Sequence, residues 1–298
     1  MSYNLLYLKK TYLLLCVLLF FAFAVNGQTL TLYSLPPQHQ YRWNSPHSLL
    51  VSTIRNYYSK SKKHPRRILG HMVIELKKDS SVYLTGMASD EMTDLKSSIL
   101  KDKIGLGVLF KVIKGHLEER TLVQNELKLR TEYSSVAFIR FNISDSAYNY
   151  LLAYIDSFKV KGYDKLYNGL NIPRAGKGCG CTAFGISLLE LINALAPEYR
   201  DNWAVQVRVP QKLIGESKPQ KKVSLRRIFF TFKWAKEKQP NRQLTLYEPY
   251  LIYKWINNIW DNEQYSSKSG YQYITAGQAR GLVVDCRKCL PVLPMFTK

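Results

Sequence analysis

The sequence is short of acid, glycine and proline, and each shortage removes a class of protein. Asp and Glu number 22 against 43 Lys and Arg, a formal charge of +21, so the chain favours an anionic partner such as nucleic acid, acidic glycan or membrane phosphate. With 16 Gly and 12 Pro among 298 residues, it is neither collagen-like nor a low-complexity linker. No internal repeat is visible. The longest apolar run, 12–25, falls short of the ~20 residues needed to span a bilayer, which argues against a transmembrane anchor. What is there is a core: 46% of residues are hydrophobic and 13% aromatic, too many for a disordered chain.

Residues 1–27 read as a secretory signal peptide, with Lys9 and Lys10, then the apolar run, then small residues that allow cleavage after Ala24 or Gly27. Leu15 before Cys16 does not fit a lipoprotein site. Loss of the two lysines takes the charge from +21 to +19. Export turns the expected partner from nucleic acid to an anionic cell-envelope polymer or lipid surface. The bland alternative is that positive charge merely confers solubility.

Residues 28–298 read as a single α+β domain, with its core at about 69–195 and a C-terminal elaboration at 196–298. After a basic, irregular or short helical lead-in at 45–67, β-rich segments at 70–76, 81–87, 104–113, 118–129 and 133–143 predict an antiparallel meander. Ser144 and Asp145 can cap a helix whose apolar face runs through Tyr148, Leu151, Leu152, Ile155 and Phe158. Segment 181–195 carries one charge, Glu190, and should lie buried. Beyond Pro197, strands are expected at 203–209, 224–232 and 281–285, a basic loop at 212–227, and an aromatic helix at 247–260 opened by Pro249.

Chemistry points to Cys181. A helix start stabilises thiolate through unpaired N–H groups, and the glycine-rich GKGCG before it lets backbone approach a substrate and supply an oxyanion hole. His71, opening an apolar strand after Gly70, is the best general base; the other histidines lie in the lead-in or after a Lys-Gly turn. GCGCTAFGISLLEL at 178–191 resembles the nucleophile segment of papain-like cysteine proteases. The order is reversed, with His71 lying 110 residues before Cys181.

That order, together with GHMVIEL, the meander, the YDKLYNGL loop and Gly-Cys-Thr, resembles the circularly permuted papain-like group over 69–195. These are the NlpC-like permuted amidases, including YiiX-like proteins and lecithin:retinol acyltransferase relatives. The resemblance implies an antiparallel sheet on a buried central helix, and a cofactor-free Cys–His hydrolase or acyltransferase acting on amides or esters of cell-wall peptides or lipids.

It also implies a polar residue on the strand after the His strand, to orient the imidazole. That strand offers Ser81, Tyr83 and Thr85 and no acid. Glu75 shares the His71 strand face but sits ~13 Å along it. Tyr83 and Glu75 are the candidates for the third position.

The remaining cysteines carry a rival reading. Cys179, Cys181, Cys286 and Cys289 form C-x-C and C-x2-C pairs that could hold zinc, although an oxidising compartment favours disulfides. Pairing of Cys179 with Cys286 or Cys289 would leave Cys181 free and one thiol unexplained. Commitment of all four to metal or disulfides would make the chain a non-catalytic envelope-binding or structural domain.

Overall fold

The computed structural model describes residues 27–59, 68–90, 99, 101–170, 172–216, 221–262 and 270–297. The leader expected at 1–27 lies outside them except for its last residue, as does the 60–67 part of the lead-in.

The fold is α+β around one large mixed sheet. Strand β1 (Gln28–Leu35) pairs antiparallel with β2 (His71–Lys78) on one side and with β5 (Ala137–Ile143) on the other. From β2 the sheet continues antiparallel through β3 (Ser81–Ser89), β4 (Ile113–Leu117) and the short β6 (Leu166–Tyr167). From β5 it continues through β10 (Ala279–Cys286) and β9 (Gln272–Ala276), and the β5–β10 pair is parallel. The expected all-antiparallel meander is corrected on that point, and on β1, which lies at the centre of the sheet.

Two of the five meander segments are not strands along most of their length. Residues 120–129 belong to helix α2 (Arg120–Glu132), where Val123, Leu127 and Arg130 recur at helical spacing and Glu, Gln, Leu and Lys outweigh the single valine. Residues 104–113 contain a 3₁₀ turn, Leu106–Phe110, before β4 starts. The strand expected at 224–232 is instead the short helix α6 (Leu225–Phe229), capped by Ser224. Alternation of apolar residues in such short runs does not separate strand from helix; tertiary packing decides.

Other elements follow the sequence signals closely. Helix α1 (Pro46–Tyr58) occupies most of the described part of the lead-in, with Ser45 accepting from the Ser48 N–H and Pro46 at its first position. Helix α3 (Asp145–Val160) is capped by Ser144, which accepts from the Ala147 N–H. Helix α4 (Cys181–Leu191) is buried along nearly its whole surface. The chain then runs through α5 (Pro197–Trp203), the hairpin of β7 (Ala204–Pro210) with β8 (Asn241–Tyr247), and α7 (Pro249–Asp261).

Both faces of the large sheet are covered. Leu32, Met72 and Ile139 face α3, α4 and α7, whereas Leu35, Val73 and Phe138 face α2. A separate apolar cluster joins Leu49 of α1 and Ile228 of α6 to Val209 and Leu244 of the β7–β8 hairpin. Gly185 lets α4 approach the sheet, since a Cβ there would meet Met72 Sδ at 2.3 Å.

At the start of α7 a carboxyl is buried at an energetic cost. Glu248 is 3% exposed; its Oε2 accepts from Trp43 Nε1 at 3.0 Å, and its Oε1 has no hydrogen-bond partner among the described residues. Burial, only partly offset by the Trp43 bond, pushes its pKa up from 4.5 to about 7. A carboxyl raised in the folded state contributes stability that is fully present below the unfolded value of 4.5 and is lost as pH rises through 7. That interval corresponds to about 3 kcal/mol. Urea unfolding of Glu248→Gln at pH 5 and pH 8 should therefore lack this share of the alkaline loss; an unchanged pH dependence would exclude Glu248 as its source.

Candidate active site

Helix α4 starts where its glycine-rich approach crosses the β6 end of the sheet, and this crossing sets the thiol. Gly178 adopts φ 73°, and a Cβ there would strike the Leu166 carbonyl oxygen at 2.0 Å; the Cys179 N–H donates to that same oxygen at 3.1 Å. Gly180 packs on Gly169, whose Cα a Cβ there would meet at 2.8 Å. The approach thus packs backbone against backbone, and Cys181 emerges at the helix N-terminus, 7% exposed.

Cys181 and His71 meet there, as the sequence predicts. Burial alone would raise the thiol. The hydrogen bond and charge of His71, the Thr182 hydroxyl and the Met72 backbone N–H outweigh it and hold the pKa down to about 7, from an ordinary value of 9.0. Cys179, two residues earlier and fully buried, is pushed well above the usual thiol range by burial and by the charge of Cys181. The two neighbouring thiols are thus shifted in opposite directions.

The imidazole is oriented by Glu118, which the sequence reading did not single out. His71 Nε2 lies 2.5 Å from Glu118 Oε2, with both side chains buried. With Nε2 held in this way, the nitrogen left for the sulfur is Nδ1. Glu118 follows β4 directly, and its backbone is fixed to β3 on both sides. Its N–H donates to the Gly86 carbonyl at 2.9 Å, and its own carbonyl accepts from Thr85 Oγ1 at 2.8 Å. Gly86 leaves the space in which the two side chains meet.

The third position therefore sits one strand further out than expected, just after β4 and not on β3. Neither Tyr83 nor Glu75 is brought to the pair. Tyr83 lies opposite Leu76, where burial and the charges of Asp156 and Asp164 raise its phenol. Glu75 lies between Thr31 and Leu84, where it hydrogen-bonds Tyr33. The available signal was the acid in HLEER, at the end of a strand two removed from the histidine strand. It was obscured because 118–129 reads as one β segment.

Tyr167, on β6, completes the site. Burial first, then the charge and hydrogen bonding of Cys181, raise its phenol well above the ordinary value, so it stays protonated and can donate. Its hydroxyl also accepts from the Cys181 backbone N–H. Two potential donors to an oxyanion, that N–H and the phenol, thus converge beside the sulfur.

The remaining cysteines among the described residues are Cys286 and Cys289, which form a disulfide with each other. The expected alternatives of a Cys179 disulfide and a four-cysteine zinc site are both corrected: C-x2-C closes on itself, and Cys179 and Cys181 remain thiols. No group of three or more His, Cys, Asp or Glu placed to hold a metal occurs among the described residues.

Compared with protein-family models, with curated proteins and with solved structures, the chain matches none.

Proposed function

We propose that the protein is an exported cysteine hydrolase, an amidase or peptidase or an acyl-ester hydrolase, acting on a peptide or lipid of the cell envelope. The observation that carries this reading is a thiol held to about 7 by a histidine that is itself held by a buried carboxylate. The order of the parts, histidine strand before nucleophile helix, fits a circularly permuted papain-like arrangement.

In this reading Cys181 thiolate attacks the substrate carbonyl, and the charge passing to oxygen is met by the Cys181 N–H and the Tyr167 hydroxyl. The proton on His71 goes to the departing amine or alkoxide, leaving a thioester. Water then gives its proton to His71 and attacks the thioester, releasing acid and restoring the thiol–imidazole pair. Glu118 positions the imidazole and stabilises its charged form throughout.

Labelling with iodoacetamide across about pH 5–9, mapped by mass, tests the pair. Cys181 should react with a midpoint near 7 and Cys179 should stay unlabelled. In His71→Ala the largest of the interactions that oppose burial is lost, so the midpoint should move upward, and Glu118→Gln should move it in the same direction. An unlabelled Cys181, or a midpoint indifferent to His71, leaves a non-catalytic scaffold as the reading. Incubation with peptidoglycan fragments and with phospholipids in parallel, read by mass, separates amide from ester substrates.

A further inference from the structure

Away from the thiol, helices α1 and α6 lie side by side and expose a ridge of large apolar side chains that the hydrolase chemistry does not use. Phe230 and Phe232 are 62% and 60% exposed, and Phe229 is 41%. They gather at the start of α1, where the His47 ring lies 4.6 Å from the Phe229 ring and 4.7 Å from that of Phe232. The His47 N–H and Nδ1 bond the carbonyls of Thr231 and Phe229, which fixes the aromatic turn to the helix.

The ridge continues along α1. Val51, Ile54 and Tyr58 follow His47 at intervals of four, three and four residues, on the face opposite the buried Leu49, Ser52 and Asn56. From His47 to Tyr58 this stripe runs about 16 Å. A helix that buries one face in the protein and turns a second apolar face outward needs something to cover that face.

Charge identifies what covers it. Residues 221–238 carry seven Lys or Arg and one acid, Glu237, and α1 adds Arg55 and no acid. Arg226 lies over the Phe230 ring, its guanidinium carbon 5.9 Å from the centroid. A second copy would bring this basic surface against itself. A soluble polyanion would satisfy the charges and leave the phenylalanines in water. An anionic bilayer satisfies both, with acyl chains for the rings and phosphates for the cations.

We propose that the α1–α6 face is the surface by which the protein docks on an anionic phospholipid bilayer, with Phe230 and Phe232 entering the acyl boundary. The proposal stands apart from the hydrolase reading, because none of these residues belongs to the Cys181 site.

Co-sedimentation of the purified chain with vesicles of phosphatidylglycerol and phosphatidylcholine, against phosphatidylcholine alone, should show binding that depends on the anionic lipid and weakens with salt. Phe230→Ser/Phe232→Ser should lower that affinity by about tenfold or more, as expected for withdrawing two aromatic side chains from an apolar phase. In Phe230→Trp the added fluorescence should shift to the blue on these vesicles and be quenched by lipids brominated in the acyl chain, a local reading that binding by another segment does not produce. Equal binding by the double serine variant, or an indole at position 230 that stays unquenched, overturns the proposal. So does retention on heparin that ignores the phenylalanines while vesicles are not bound, which would assign the face to a polyanion.

Discussion

Replacing Cys181 with alanine should abolish turnover, a loss of roughly four to six orders of magnitude, the scale on which removal of a covalent nucleophile acts. The reason is specific to this thiol. It is 7% exposed, yet its pKa is about 7, so near neutrality about half of it is thiolate without any need for solvent access. Cys179 cannot substitute, because burial and the neighbouring charge keep it protonated. Cys181→Ala removes one sulfur from the end of a buried helix and should leave the circular dichroism spectrum unchanged. A folded variant that still hydrolyses the wild-type substrate would refute the mechanism.

Gly86→Ala should have the next largest effect, although position 86 contacts no substrate in the mechanism. A Cβ on Gly86 would lie 2.5 Å from His71 Nε2 and 2.7 Å from Glu118 Oε2, inside the contact that joins them. Both atoms are the ends of side chains, so the strand survives and the ion pair is prised apart. A displacement of about 1 Å at a reacting group costs on the order of 100-fold, and here base and orienter move together, so a loss of about 100- to 1,000-fold is expected. The same variant should shift the Cys181 labelling midpoint upward, which a merely structural defect elsewhere would not do. Wild-type turnover in Gly86→Ala would show that the His71–Glu118 contact does not matter.

The parts of the site that were legible in the sequence are those fixed locally. Cys181 could be found because glycines, a cysteine and an apolar run are contiguous, and His71 because it follows a turn glycine and begins an apolar strand. Glu118 could not, because its role depends on which strand lies beside which: β4 reaches His71 only across β3, through the space at Gly86. Tyr167 is similar, as two residues of β6 pair with β4 and bring the phenol to the helix start. The fold shows the same division. Ser144 and Pro249 announce their helices by local chemistry, whereas the central place of β1 and the parallel docking of β10 on β5 are long-range choices without a local signal.

The placing of β10 separates chemistry from durability. Every residue given a role in the proposed reaction lies before position 191, so synthesis makes the proposed base, orienter and nucleophile before it makes β10. Until β10 arrives, β5 has an open flank with the strand-prone sequence AFIRFNI, which invites pairing with other chains. The last third of the polypeptide thus serves as a closure. Among the described residues it adds no group to the proposed reaction, and β10 covers the flank that β5 would otherwise leave open to other chains.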